Sequence, residues 1–267
     1  MSQPLTYPPG HKFKLEDLSP HYDGDEYDKQ SGKERTLENA MALSQLGYKL
    51  YAENKRSVLL VLQGMDSAGK DSTIRAIMGG LNPQSCSVTS FKKPTEEELD
   101  HDFLWRVHKA APRRGNIGIF NRSHYEDVLV VRVHNIVPKK QWEKRYNQIN
   151  EFEHLLSENG TKIVKCFLHI SPEEQRERLQ ERVDDPNRRW KFNKADLAER
   201  KLWDNYQEAY EAALTRCNTE WAPWHVVQAD RNWYRKMIVS EILRNTLEEM
   251  DPQFPDPDDG IEGIVVE

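Results

Sequence analysis

The chain has 267 residues, 37% of them hydrophobic, and a net charge of −6, which suits one large α/β domain or a domain with a lid. The apolar runs at 58–62 and 128–131 are too short to span a bilayer, and the start MSQPLTYPPG has neither the basic opening nor the apolar centre of a signal peptide, so a cytoplasmic protein with no membrane or nucleic-acid partner is expected. Three scattered cysteines, Cys86, Cys166 and Cys217, show no metal spacing, and their odd number argues against a disulfide framework.

The charge is uneven along the chain. Residues 88–191 carry 20 Lys and Arg against 17 Asp and Glu, while the remainder carries 18 against 27. The acidic excess sits in an N-terminal arm (residues 1–30, acidic over 16–28) and in a tail (251–267, preceded by Glu248 and Glu249) whose Pro252, Pro255 and Pro257 favour extended chain. Both ends read as solvated charged surface.

After the arm, an amphipathic helix is expected around 34–53, followed by an apolar strand at 58–63. That strand runs directly into Gly64, Met65, Asp66, Ser67, Ala68, Gly69 and Lys70. Two glycines with four residues between them, and a lysine after the second, form a P-loop: backbone N–H groups and the positive end of the next helix surround phosphate oxygens, and the lysine adds a charge. Asp71 stands where Ser or Thr usually follows the lysine. Asp71, Ser72 and Thr73 before Ile74, Ile77 and Met78 read as a capped helix start. A carboxylate inside an anion cradle is unfavourable without a cation or a transferable proton, so Asp66 and Asp71 suggest Mg2+ organisation or positioning of an acceptor.

Further strands are expected at 87–91, 117–121, 163–170 and 225–229, with helical patterns between them. This alternation predicts a parallel sheet covered by helices on both faces, with ligands at the carboxyl ends of the strands. The strand at 117–121 ends in a polar cluster, N-R-S-H-Y-E-D, over 121–127. One or both of Glu126 and Asp127 are placed to hold Mg2+ or orient a nucleophile, with Arg122 placed for phosphate oxygens. His124 reads as a hydrogen-bonding residue, since in-line transfer needs no phosphohistidine. Farther on, Arg178 and Arg182 share one helix face before Asp184, Asp185 and Pro186 interrupt it, and Arg188, Arg189 and Lys191 surround Trp190. The segment reads as a lid (about 173–205) whose guanidinium groups close over phosphates, with Trp190 stacking on a base or anchoring the lid. Lys92, Lys93, Arg113 and Arg114 are candidates for a basic lane.

Four ordered segments, GMDSAGKD (64–71), FKKPTEEELDHDFLWRVH (91–108), FNRSHYEDVLVVRVH (120–134) and NRRWKF (187–192), together resemble family-2 polyphosphate kinases, over nearly the whole chain from about Gly32 to about Glu249. The resemblance accounts for Asp71, because that family carries Asp after the P-loop lysine. It implies a thymidylate-kinase-like P-loop fold, three-layer α/β/α, and reversible Mg2+-dependent (or Mn2+-dependent) transfer of a terminal phosphoryl group between inorganic polyphosphate and a nucleotide. The acceptor is a nucleoside mono- or diphosphate, AMP or ADP, with GMP and GDP open. By matching motif positions, Asp66 and Asp127 stand as essential carboxylates and metal ligands, Lys70 and Arg122 as phosphate contacts, and Arg178, Arg182, Arg188 and Arg189 as the lid. The loop residues together with Ser72, Lys92, Asn121, Glu126, Arg132, Trp190 and Lys191 complete the expected phosphate and nucleotide contacts. A homo-oligomer, dimer or tetramer, is also implied. Two rival readings are an ATP-dependent nucleotide or small-molecule kinase on the same fold and, less favoured, a non-catalytic nucleotide switch.

Overall fold

A computed structural model describes residues 5–259, 261 and 264–266. Five strands form one sheet: β1 (Ser57–Gln63), β2 (Cys86–Ser90), β3 (Ile117–Asn121), β4 (Thr161–His169) and β5 (Trp224–Gln228). Their order across the sheet is β2-β3-β1-β4-β5, with every pairing parallel. β1 is buried along its whole length, as a central strand covered on both faces must be, which is why its sequence is a continuous apolar run with no polar alternation. The helices are α1 (Lys29–Glu53), α2 (Lys70–Met78), α3 (Glu96–Leu99), α4 (Trp105–Ala110), α5 (Val130–Val133), α6 (Lys139–Glu158), α7 (Pro172–Asp184), α8 (Lys194–Arg200), α9 (Trp203–Arg216) and α10 (Asn232–Met250). They cover the sheet on both sides in the expected three-layer α/β/α arrangement.

Parallel strands joined by helical crossovers present their carboxyl ends to the same edge. Leu62 of β1 lies level with Asn121 of β3 and Cys166 of β4, so the loop after β1, the turn after β3 and the start of α7 after β4 meet at one place. The same rule corrects the basic lane. Arg113 and Arg114 precede β3, with Gly115 N–H bonded to the Arg56 carbonyl just before β1. They therefore sit at the amino edge of the sheet, opposite Lys92 and Lys93, which follow β2.

The arm is more than a solvated surface. Phe13, Leu15 and Tyr22 are buried in the main core, and Tyr22 stacks on Tyr234 at 3.9 Å. Thr6 forms an antiparallel bridge with His225, and Val226 N–H bonds the Leu5 carbonyl at 2.8 Å, which covers the open edge of β5. Farther on, Asp230 N–H bonds the Pro20 carbonyl at 3.1 Å and His169 Nε2 lies 3.0 Å from the Leu18 carbonyl. The acidic stretch at 16–28 is thus carried on a packed strap, its charges outward and its apolar residues inward. Residues 1–4 of the expected arm, and Gly260, Glu262, Gly263 and Glu267 of the expected tail, lie outside the described residues. From 251 to 259 the tail has no regular secondary structure. The three cysteines are free, and among the described residues no helix is long and apolar enough to cross a membrane.

Candidate active site

The P-loop closes as its spacing requires. Gly64 and Gly69 have φ of 153° and 101°, and a side chain at position 69 would place its Cβ 2.2 Å from the Arg235 guanidinium carbon. Only glycine satisfies both the left-handed backbone and that approach. Lys70 opens α2 and is almost fully buried; its Nζ donates to the Gly64 and Met65 carbonyls at 2.6 and 3.1 Å. Burial, with Arg122 close by, lowers its pKa to about 8.

Across the loop mouth stands the turn after β3. Arg122 takes φ 63°, an uncommon conformation for a residue with a side chain, and Nη2 reaches Asp66 Oδ1 at 2.5 Å while Nη1 lies 3.6 Å from Glu126 Oε2. Burial works against the Arg122 charge, yet Glu126 and Asp66 outweigh it and raise its pKa. Asn121 Nδ2 donates to Asp71 Oδ1 at 2.6 Å, tying the end of β3 to the start of α2.

The expected pairing of Asp66 with Asp127 is not the one the fold brings together. Residues 124–127 form one turn of 3-10 helix, in which successive side chains diverge by about 120°. Glu126 consequently faces the small enclosed space it shares with Gly64, Met65, Asp66 and Arg122, while Asp127 faces away. Arg145 of α6 donates to Asp127 Oδ1 at 2.8 Å and to its carbonyl at 3.1 Å. Burial lifts the Asp127 pKa to about 6, against the pull of Arg145 and Arg106; burial also raises that of Glu126, opposed by Arg122 and Lys70.

Two cavities meet this framework. The first, about 880 Å³, is a groove along the P-loop lined by Asp66, Ser67, Gly69, Lys70, Asp71 and Ser72, by Lys92, Asn121 and Arg122, and by Arg178, Arg182, Arg188 and Lys191. Arg75, Asn232 and Lys236 continue it beyond the residues expected from sequence. Ten of its lining residues are Lys or Arg and four are Asp or Glu, so an acidic protein carries a strongly cationic groove. The second, about 1040 Å³, begins at Asp127 and Arg106 and runs between α3, α4 and α6 past Leu99, Phe103, Lys144, Arg145 and Phe152. Arg106 adjoins both regions, since its Nη1 donates to the Lys92 carbonyl at 2.9 Å. Arg106 and Arg145 were absent from the expected site. Their signal was slight: one arginine in F-L-W-R and another inside a charged helix.

The lid arginines divide into two kinds. Arg178 spends its guanidinium on fixed partners: Glu174 Oε1 (2.8 Å), the carbonyls of Ser67 (2.9 Å) and Ala68 (3.3 Å) in the P-loop, and those of Ala229 and Asp230 (2.7 Å each) after β5. It braces the loop and does not close over it. Arg235 of α10 braces the opposite side, donating to Thr73 Oγ1, Ser72 Oγ and the Ala229 carbonyl; the sequence signal for it was only a cation inside a helix with buried neighbours. Gln175 adds a bond from α7 to the Asp66 carbonyl at 2.9 Å. Arg182 and Arg188 do line the groove, Arg182 lying 3.6 Å from Asp196 on α8 and Arg188 3.1 Å from Glu181 and from Asp185. Arg189, Trp190 and Arg132 fall outside it. Arg189 turns back to the Val183 carbonyl at 2.8 Å. Trp190 is 78% exposed beneath Lys191. Arg132 stacks over Trp142 and pairs with Glu208, because its short helix α5 packs toward α9. Ala68 is buried within the loop.

Among the described residues, no three His, Cys, Asp or Glu side chains are arranged to hold a metal on their own. Asp66, Asp71 and Glu126 nevertheless offer only oxygen donors beside the phosphate cradle, and buried Ser67 Oγ and Gln63 Oε1 have no protein partner. This set fits Mg2+, which keeps waters and takes one or two carboxylates together with substrate phosphates.

A parallel sheet with a P-loop on its central strand and a cationic groove at its carboxyl edge defines a P-loop phosphotransferase. Residues 26–255 match the Polyphosphate kinase 2 (PPK2) family. The chain is 54% identical over 242 residues to the AMP/ADP-polyphosphate phosphotransferase of Meiothermus ruber, covering 89% of this chain and 91% of that one. It is 48% identical over 226 residues to the ADP-polyphosphate phosphotransferase of Rhodopseudomonas palustris, covering 80% and 78%. The crystal structure of Polyphosphate Kinase 2 from Arthrobacter aurescens TC1 superposes with a TM-score of 0.93 at 42% identity, over 96% of this chain and 92% of that one. The chain belongs to the polyphosphate kinase 2 family.

Proposed function

We propose that this protein transfers the terminal phosphoryl group of inorganic polyphosphate to a nucleoside mono- or diphosphate, AMP or ADP, and catalyses the reverse reaction from ATP. The observation that carries the reading is the groove, with ten cationic residues against four acidic ones on a protein of net charge −6. A polyanion with about one charge per phosphate unit is the ligand such a field selects. The names of the relatives from Meiothermus ruber and Rhodopseudomonas palustris support the same donor and acceptors.

The second cavity supports a nucleotide acceptor. Its volume suits a nucleotide, its walls offer Phe103, Leu99 and Phe152 to a base, and Arg106, Lys144 and Arg145 supply charge for phosphates. The acceptor's terminal phosphate oxygen then attacks the end phosphorus of the polyphosphate in line as the bond to its bridging oxygen breaks, so that a chain one unit shorter leaves, with no covalent enzyme intermediate. In this reading Lys70 and Arg122 neutralise the transferring group, Arg182 and Arg188 add charge from the lid, and Asp66 holds Arg122 in place. Asp127, fixed by Arg145, orients the acceptor from the other side. Asp66, with Asp71 or Glu126 and phosphate oxygens, would hold Mg2+, or Mn2+ in its place, which would supply charge neutralisation.

Cytoplasmic residence and a homo-oligomer complete the proposal. Leu37, Met41 and Tyr48 are exposed along one stripe of α1 and support self-association, which light scattering on the eluted protein tests. The deciding experiment for function is chromatographic detection of ADP or ATP after mixing the protein with Mg2+, polyphosphate and AMP or ADP. Product only in the presence of polyphosphate upholds the proposal. Transfer from ATP to a small acceptor, with none from polyphosphate, replaces it with an ordinary P-loop kinase.

A further inference from the structure

Below the 124–127 turn lies a charge pair that the chemistry above does not use. Lys165 of β4 and Glu153 of α6 are both fully buried, with Nζ 2.7 Å from Oε2. Lys165 also donates to the Tyr125 hydroxyl at 2.8 Å and to the Cys217 carbonyl at 2.7 Å. The same hydroxyl donates to Glu153 Oε1 at 2.8 Å, and His124 Nε2 lies 3.1 Å from that oxygen. Burial alone would raise the Glu153 pKa, but Lys165 and His124 outweigh it and hold it below the usual range. The rings of Tyr125 and Trp224 face the ammonium at 5.3 and 5.0 Å.

A buried ion pair is poor evidence for added stability, because desolvation offsets its attraction; its better attested use is to select one arrangement over alternatives. The arrangement at stake here is the turn itself. Its first two residues, His124 and Tyr125, point down into the charge pair. Its last two, Glu126 and Asp127, point apart, Glu126 into the small space it shares with Asp66 and Arg122 and Asp127 into the second cavity. One helix grips both halves, Glu153 from below and Arg145 from beside the second cavity. A rotation of the turn by one residue, about 120°, would carry one carboxylate into the other's place and leave its own place without one.

We infer that Glu153, Lys165 and Tyr125 are positioning residues for phosphoryl transfer, fixing the turn so that Glu126 faces Asp66 and Arg122 in the small space beside the P-loop and Asp127 faces the acceptor cavity. The inference rests on the proposed function for its readout. It concerns residues that touch neither substrate.

The test uses two variants of the full chain. Tyr125→Phe removes only the bridging hydroxyl and keeps the ring. The double variant Glu153→Gln with Lys165→Met removes both charges together, which avoids stranding one of them. Each is expected to lower kcat by about tenfold or more, since small misplacements of catalytic groups have effects of that size. KM for polyphosphate and for nucleotide should stay within about twofold, because none of the three substituted residues lines either cavity. A folded variant of either kind whose kcat stays within twofold of the unsubstituted protein, whatever its Tm, overturns the inference and leaves the pair a structural feature. If the double variant fails to fold, Tyr125→Phe decides alone. The unsubstituted protein is assayed alongside with polyphosphate and with ATP as donor. Absence of polyphosphate turnover counts against the proposed function only, and the same ratios are then read with ATP.

Discussion

Asp66 and Arg122 are 56 residues apart in the chain and join side chains at 2.5 Å across the mouth of the P-loop. The contact explains how a carboxylate is tolerated inside an anion cradle: a guanidinium offsets its charge and is in turn aimed at the position of the transferring phosphate. Replacing Asp66 by Asn should lower kcat by about 10²-fold or more, in line with losing an electrostatic partner at a reacting centre, with Tm shifted by no more than about 3 °C. Steady-state rates and a thermal melt of the same preparation check both halves.

The two buried titrating groups predict a bell-shaped pH dependence of kcat/KM, which reports the free enzyme. Asp127 has a pKa raised to about 6 and Lys70 one lowered to about 8. Below the first, Asp127 is protonated and its grip by Arg145 weakens; above the second, Lys70 is neutral and phosphate loses a charge. Activity should fall on both sides. In Lys70→Arg the basic limb should move up by more than one pH unit, because a guanidinium stays protonated; a basic limb left in place removes Lys70 as its origin.

Arg178 and Arg188 both lie in the expected lid and should behave differently. Truncating Arg178 to Ala takes its donors from four backbone carbonyls, of which only Ala229 keeps Arg235, and should destabilise the fold by about 3 kcal/mol, lowering Tm by about 6–12 °C. Arg188 is half-exposed, so Arg188→Ala should leave Tm within about 2 °C and raise the polyphosphate KM several-fold, roughly. Calorimetry with parallel kinetics separates a brace from a substrate contact.

The cationic groove predicts steep salt dependence. KM for polyphosphate should rise strongly between about 50 and 300 mM salt, more than KM for AMP, because screening acts on many charges at once. Lys92→Ala with Lys93→Ala should raise the polyphosphate KM by roughly three- to tenfold. Arg113→Ala with Arg114→Ala, at the opposite edge of the sheet, should leave it unchanged.

Much of this architecture was legible in the sequence because the signals were local. The strand expected at 117–121 is the strand found, and the other four fall within two residues of their expected ends. The P-loop, its lysine and the arginine after β3 are all readable because spacing along one turn dictates their geometry. What stayed hidden depends on direction through space. Glu126 and Asp127 are neighbours in sequence and belong to different cavities, since a 3-10 turn separates them. Arg178 and Arg182 share a helix face, yet only Arg178 lies within reach of the P-loop carbonyls. Arg235 enters from the last helix, about 165 positions beyond the loop it supports. Phe13, Leu15 and Tyr22 looked like surface because the acidic residues around them dominate the local composition.

The strap formed by residues 5–28 carries one more implication, for anyone handling the protein. Leu18 and Pro20 hold the segment around His169 and Asp230, and the carbonyls of Ala229 and Asp230 are where Arg178 and Arg235 anchor the P-loop. A trimmed expression clone lacking those residues would lose more than a dispensable leader: it would slacken the phosphate grip from behind, and poor activity in such a clone would be a fault of its design.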